Sequence, residues 1–259
     1  MIASPNKMLL SVITVCRNEA TRIQRTLDSV IRQSDQEFEW IIVDGASSDG
    51  TLACLEPHRN RITRLISEPD KGIYDAMNKG LRLAQGTYVL FLNAGDWLAD
   101  DRVLEDFTGL CPREELVIGD ILIRYPDDRE QYRSSALCGA DRDYLYWRSP
   151  PHQATFTRRT LFDLWGGFDT RFPVAADWEF FARTILNHNA TVLKWPRCVS
   201  VFTNDGFSAS PANTQLRNQD RQRIRQRYFP LHYRLRRGLN ENWGMLVDRF
   251  RKHMTPPVK

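Results

Sequence analysis

Strand-like and helix-like stretches alternate through the first hundred residues, and that rhythm limits the fold more than any other feature. Leu9–Val15, Trp40–Val43 and Tyr88–Leu92 are unbroken and rich in β-branched or aromatic residues, as strands buried on both faces are. Thr63–Ser67 reads as a further strand. Between them, Ile23, Leu27, Val30 and Ile31 recur at helical spacing in a stretch opened by Asn18-Glu19 and running through Gln33. A short helix after Thr51 stops near Pro57, and Ile73, Met77, Leu81 and Ala84 give the next helix its apolar face before Gly86. This order predicts an α/β fold: a mostly parallel, Rossmann-like sheet with right-handed crossovers, flanked by helices. Ligands of such sheets bind beyond the carboxyl ends of the strands. Cys16–Glu19, Asp44–Thr51 and Asn93–Asp96 each follow a strand at once, so these polar clusters are predicted to meet at one edge.

The second half is less regular. Glu115–Ile118 and Asp120–Tyr125 read as strands, Asp177–Asn187 as a helix, and Thr191–Leu193 and Val199–Phe202 as late strands. Gly166-Gly167 end a short helix. Beyond Pro211 the chain is arginine-rich and helical, broken by Pro230; between Arg217 and Arg237 eight arginines face one acid, Asp220. The chain therefore divides into an α/β domain over residues 8–208 and a basic helical C-terminal extension over 209–259. The net charge of +4 suits an anionic ligand or surface. For the arginines, an anionic membrane surface and a plain solvated helix face are both open readings.

Cys16, Cys54, Cys111, Cys138 and Cys198 are scattered and lack C-x-x-C spacing, which reads as reduced buried thiols of a cytoplasmic protein. Met1–Lys7 is short and polar, and the apolar run Met8–Cys16 is too short to span a bilayer and lacks a signal-cleavage pattern.

Each polar cluster has a local and a chemical reading. Asp44-Gly45-Ala46-Ser47-Ser48-Asp49-Gly50-Thr51 suits a turn and helix cap, or a strand-end carboxylate that accepts from a nucleobase N–H or a ribose hydroxyl. Its glycine spacing mimics a P-loop, but the lysine is missing, which excludes that ATPase class. In Asp70-Lys71-Gly72-Ile73-Tyr74-Asp75-Ala76-Met77-Asn78-Lys79-Gly80, Asp75 and Lys79 are spaced for a surface ion pair, while Asp70, Lys71 and Lys79 could face a diphosphate or sugar. Asn93-Ala94-Gly95-Asp96 offers oxygen ligands for Mg²⁺ or Mn²⁺, or Asp96 caps the next helix. Asp177 is either a helix cap or a general base. His152 alone reads as structural or exposed more readily than as catalytic.

In their order and spacing these clusters resemble glycosyltransferase family 2, whose fold is called GT-A, from about Leu9 to about Ser208. The segment Gly72–Gly80, with His152-Gln153-Ala154-Thr155-Phe156 and Gly166-Gly167-Phe168-Asp169, is similar to a subset that includes colanic-acid-type polysaccharide transferases. The resemblance implies an inverting transfer of sugar from a nucleoside-diphosphate sugar to a hydroxyl of a glycan or lipid-linked acceptor. It puts the donor near Thr14, Val15, Arg17, Glu19 and Asp44, then Asp70, Lys71, Asp75, Asn78, Asn93 and His152. It implies Asp96 as metal ligand for Mg²⁺ or Mn²⁺, Asp177 as catalytic base, and Arg183 on the following helix. Two departures stand out: Gly95 replaces the second aspartate of the usual Asp-x-Asp, and Ala176 replaces the acid that usually precedes the base. The implied location is cytoplasmic or on the inner face of the cell membrane.

Other classes fit less well. A non-catalytic sugar- or nucleotide-binding protein of this fold would explain Gly95 but not Asp177. A nucleic-acid binder would explain the arginines, but aromatic-plus-basic RNA motifs are absent. A nucleotidyltransferase would carry a glycine-rich basic loop where Cys16-Arg17-Asn18-Glu19 stands.

Overall fold

The computed structural model describes residues 9–127, 129–134, 141–204, 206 and 210–237. Cys138, the junction at residues 208–209 and the extension beyond residue 237 lie outside the described residues.

The first half follows the predicted alternation. The elements are β1 (Leu10–Cys16), α1 (Ile23–Ile31), β2 (Phe38–Asp44), α2 (Thr51–Leu55), β3 (Arg64–Ser67), α3 (Ile73–Leu83) and β4 (Tyr88–Phe91). β1 pairs in parallel with both β2 and β4, and β2 with β3, so the strand order here is β3-β2-β1-β4. The order reverses between β1 and β4, and a crevice opens at that point. Backbone bonds from Leu92 N to Ile13 O (2.9 Å) and Ala94 N to Val15 O (3.0 Å) carry the pairing past the end of β4, which sets Asn93 beside the end of β1. α1 starts later than its periodicity suggests. Asn18 has φ +54°, outside the right-handed helical region, and Glu19 caps the first turn with its carbonyl instead.

The second half adds β5 (Trp97–Leu98), α4 (Val103–Leu110), β6 (Leu116–Arg124), β7 (Glu130–Arg133), α5 (Arg142–Trp147), β8 (Thr155–Arg158), α6 (Arg159–Trp165), α7 (Ala176–Ala182), β9 (Val192–Thr203) and α8 (Thr214–Tyr228). The two strands expected before Tyr125 are one, β6, whose register against β9 shifts around Asp120. The two late strands are likewise one, β9, running through Pro196. The helix expected to reach Asn187 is regular only to Ala182 and widens to a π-turn over Arg183–Asn187. β8 runs antiparallel to β4, so its leading end, with His152 in the turn before it, lies at the trailing end of β4.

Alternate residues of the central strands feed a core on each face of the sheet. Ile13, Val15, Ile41 and Val43 face α3, α6 and α7, while Val12, Trp40, Ile42 and Leu90 face α1 and α4. α3 lies tight on β1: a Cβ on Gly80 would come within 2.5 Å of Ile13 Cγ2. α8 joins the first core through Ile224 and Tyr228. Its buried Asp220 accepts hydrogen bonds from the backbone N–H of Val174 (2.9 Å) and Ala175 (3.2 Å), just ahead of α7. The thiols depart from the expected burial: Cys16 is buried, but Cys54 and Cys198 are half-buried and Cys111 is exposed on the left-handed cap of α4.

Candidate active site

The loops after β1 and β2 are stitched together. Asn18 N–H donates to Ser47 Oγ (2.8 Å), Ser48 N–H to Asn18 Oδ1 (2.9 Å), Glu19 N–H to Thr51 Oγ1 (2.8 Å) and Ala20 N–H to Asp49 Oδ2 (3.0 Å). Gly45 lets a third loop close in: a Cβ there would meet Asp70 Oδ2 at 2.1 Å and the Arg17 side chain at 3.2 Å. Asp70 Oδ1 in turn accepts from Gly72 N–H (2.8 Å), shaping the entry to α3.

Together they wall a cleft of about 360 Å³ at the β1–β4 switch point. Val15, Arg17, Glu19, Asp70, Asn93 and Asp96 line it, with His152 and Val174 at its far side. Of the other residues expected there, Thr14 is fully buried and its hydroxyl accepts from Trp40 Nε1 (3.1 Å). Asp44 is also fully buried and is ringed by its own loop, accepting from Ser47 N–H (3.0 Å), Ser47 Oγ and Ser67 Oγ (2.6 Å). Asn78 braces the Gly166-Gly167 loop by exchanging bonds with the backbone of Phe168, 2.8 and 2.9 Å. Asp75 accepts from Lys71 N–H (3.0 Å), and Lys79 pairs with Glu68 (2.8 Å), so the expected Asp75–Lys79 pair gives way to a longer-range one.

A second cleft, of about 670 Å³, opens on the opposite side of His152. Asp177 lies on its wall, and His152 and Val174 belong to both clefts. Asp177 is one residue inside α7, whose cap is Ala175, so it is not the helix cap. Its carboxylate is held from two sides: Tyr74 Oη donates to Oδ1 (2.8 Å) and His152 Nδ1 lies 3.2 Å from Oδ2. Asn93 Nδ2 lies 3.2 Å from the other ring nitrogen of His152. With that amide donating to Nε2, the ring proton sits on Nδ1 and points at Asp177. A polar chain thus links the first cleft to Asp177 across the wall they share.

Burial opposes the charge on Asp177, but the His152 hydrogen bond, the field of that imidazole and the Tyr74 hydroxyl outweigh it and hold the carboxyl below its ordinary value. A depressed folded pKa means that Asp177 contributes stability above the unfolded value of ~3.9, lost as pH falls through the folded value. Tyr74, by contrast, is pushed well up by burial and by Asp177, so it stays a donor. Tyr74→Phe is therefore expected to move the acidic limb of the pH–rate profile to higher pH while leaving the plateau within about tenfold; an unmoved limb would show that the hydroxyl does not set the ionisation of Asp177.

Sequence reasoning passed over Tyr74 and Arg22. Tyr74 lies in the Gly72–Gly80 segment, in the first turn of a helix, where an aromatic reads as core. Arg22 follows Glu19 by one helical turn and pairs with it at 3.3 Å. Its guanidinium lies over Gly95, where a Cβ would sit 2.4 Å from Nη2; Gly95 has φ +97°, so a side chain there would be both clashing and strained.

For a divalent cation, the first cleft offers Asp96, 6% exposed, and Asn93, whose Oδ1 is buried without a hydrogen-bond partner. Among the described residues no group of three or more His, Cys, Asp or Glu gathers at one point. Mg²⁺ and Mn²⁺ commonly take one or two protein oxygens and complete their shell with phosphate and water, so the residues fit a site shared with a diphosphate.

The sequence profile of Glycosyl transferase family 2 matches residues 11–173, from the start of β1 to the loop before α7. The chain belongs to this family. It is 36% identical over 185 residues to a PGL/p-HBAD biosynthesis glycosyltransferase of Mycobacterium tuberculosis, covering 69% of this chain and 70% of that one. A putative teichuronic acid biosynthesis glycosyltransferase of Bacillus subtilis is 42% identical over 98 residues, 36% of this chain and 39% of that one. Among solved structures, TarS of S. aureus with UDP superposes with a TM-score of 0.64 at 23% identity, over 86% of this chain and 67% of that one. A mannosyltransferase of Pyrobaculum calidifontis, solved with GDP-Man and Mn²⁺, gives 0.55 at 23% identity, over 74% and 56%. The fold is thus GT-A, and this family member is a glycosyltransferase. Among the described residues no helix is long and apolar enough to cross a membrane.

Proposed function

We propose that this glycosyltransferase moves a sugar, with inversion, from a nucleoside diphosphate to a hydroxyl of a glycan or lipid-linked acceptor in the assembly of a surface polysaccharide or glycolipid. The observation that carries the reading is Asp177 at the wall between two clefts, held ionised by Tyr74 and His152. The donor belongs in the cleft at the strand ends, with Arg17 and Arg22 as its cationic side chains. The acceptor belongs in the cleft that Asp177 lines.

As the hydroxyl attacks the anomeric carbon, Asp177 takes its proton, and the diphosphate leaves on the opposite side. A single in-line displacement of this kind inverts configuration. His152 keeps the carboxylate turned toward the acceptor and ties it to Asn93 at the donor side. A bound Mg²⁺ or Mn²⁺ would be held by Asp96 and Asn93 and would supply positive charge against the developing diphosphate. The relatives support the donor class: TarS is known with UDP and UDP-GlcNAc, and the mannosyltransferase with GDP-Man and Mn²⁺. The work would be done in the cytoplasm or at the inner face of the membrane.

The test is a thermal-shift screen of UDP-, GDP- and dTDP-sugars with and without Mn²⁺. A ligand at 100 times its Kd stabilises by about 2.7 kcal/mol, which is readily seen. One nucleotide should stand out, and more so with Mn²⁺. No stabilisation by any of them would remove the donor assignment.

A further inference from the structure

The acceptor side of Asp177 is strongly cationic. Arg133, Arg148, Arg217 and Arg221 all line the second cleft, and among the described lining residues Asp177 is the one carboxylate. On α8 two other arginines have acidic partners: Arg223 pairs with Asp220 and Arg227 with Asp169. Three of the cleft arginines have no such partner. Among the described residues Arg133, Arg148 and Arg221 make no ion pair, and Arg133 Nε is buried without a hydrogen-bond partner.

Arg217, Arg221 and Arg225 follow one another at four-residue spacing and so share one face of α8. Like charges so placed repel and destabilise their helix. Burial and the fields of Arg217 and Arg225 together make Arg221 harder to keep charged than an ordinary arginine. Arg221 is also fixed close to the chemistry: its guanidinium lies 5.9 Å over the ring of Trp178, the residue after Asp177. Planar bidentate donors without acidic partners, as Arg133, Arg148 and Arg221 are among the described residues, make a seat for an oxyanion beside a general base.

We propose that the acceptor carries a phosphate or carboxylate, and that Arg148, Arg217 and Arg221, with Arg133, hold it in the second cleft so that its hydroxyl reaches Asp177. This rests on the reading of the chain as a transferase whose donor lies in the first cleft. The oxyanion has two sources, the diphosphate of a lipid-linked sugar or the carboxylate of an acidic sugar. The fold itself ties the arginines to the base, because Asp220 on the same helix holds the backbone of Val174 and Ala175.

The test compares three soluble probes on the full chain in the presence of saturating UDP: octyl glucoside, octyl glucuronide, and glucose 1-diphosphate carrying an octyl ester. Calorimetry reads each affinity. One anionic probe is expected to bind at least tenfold tighter than octyl glucoside, and whichever it is names the source of the oxyanion. Arg217→Gln/Arg221→Gln should erase that preference, and Arg217→Lys/Arg221→Lys should restore part of it. Binding of UDP alone should change less than twofold in both variants. Equal affinity of charged and neutral probes overturns the proposal. So does a preference that survives the glutamine pair, or loss of binding to phosphatidylglycerol vesicles in that pair with no preference among the probes, which would assign the arginines to a membrane surface. Failure of the donor reading looks different: no nucleotide binds the unaltered chain, whatever the probes do.

Discussion

Asp177→Asn will bind the nucleotide-sugar donor about as well as the parent chain and transfer sugar from it roughly 10²–10⁴-fold more slowly, the usual worth of a positioned general base. The amide is nearly the same size and can still accept from Tyr74, so the wall between the clefts should stand. What it cannot do is take a proton. The parent carboxylate is kept ionised despite its burial because His152 and Tyr74 favour the charged form, so at neutral pH the base is ready and the loss on substitution is large. Single-turnover transfer gives the rate, and donor affinity measured separately locates the defect. Near-parent transfer would take the role away from Asp177; a parallel collapse in donor affinity would move it to the donor side.

Glu179→Ala is expected to be strongly destabilising, although Glu179 lines neither cleft. Glu179 is 1% exposed, pairs with Arg183 at 3.1 Å, and accepts a hydrogen bond from Tyr228. Arg183 also donates to the carbonyl oxygens of Gly166 and Gly167, at 3.3 and 2.8 Å, and its guanidinium lies 5.4 Å over Phe180. Removing one member of a buried pair leaves the other charge uncompensated, and the cost is about 3–5 kcal/mol. For a chain of this size that lowers Tm by roughly 10 °C. Glu179→Gln keeps acceptors in place and should lose less. A fall in Tm under about 2 °C for the alanine variant would show that the pair is relaxed by solvent.

Arg183 illustrates how resemblance and structure divide the work. Its position after the base was expected from related sequences, but nothing in the sequence said that it closes the Gly166-Gly167 loop or that Tyr228, 49 residues from Glu179, completes its partner. Asp44 and Asp96 divide in the same way. Both follow buried strands and both have a local and a ligand-facing reading in the sequence; Asp44 is ringed by Ser47 and Ser67, while Asp96 lines the cleft. A strand-end carboxylate looks alike in sequence whether its oxygens turn to its own loop or to a ligand.

The alternation of apolar runs was enough to specify that β1 to β4 form a parallel sheet with right-handed crossovers, because strand and helix periods are written in neighbouring residues; their order β3-β2-β1-β4 came from the structure. It was also enough to put Cys16–Glu19, Asn93 and Asp96 at one sheet edge. The antiparallel return of β8, which carries His152 to Asn93, and the packing of α7 against Tyr74 depend on contacts between residues 59 and 103 positions apart, which no local pattern records. The shared wall of the two clefts, and the turning of one arginine face of α8 toward Asp177, exist only once those distant segments pack, since both are set by which surfaces exclude water together and not by any one stretch of chain.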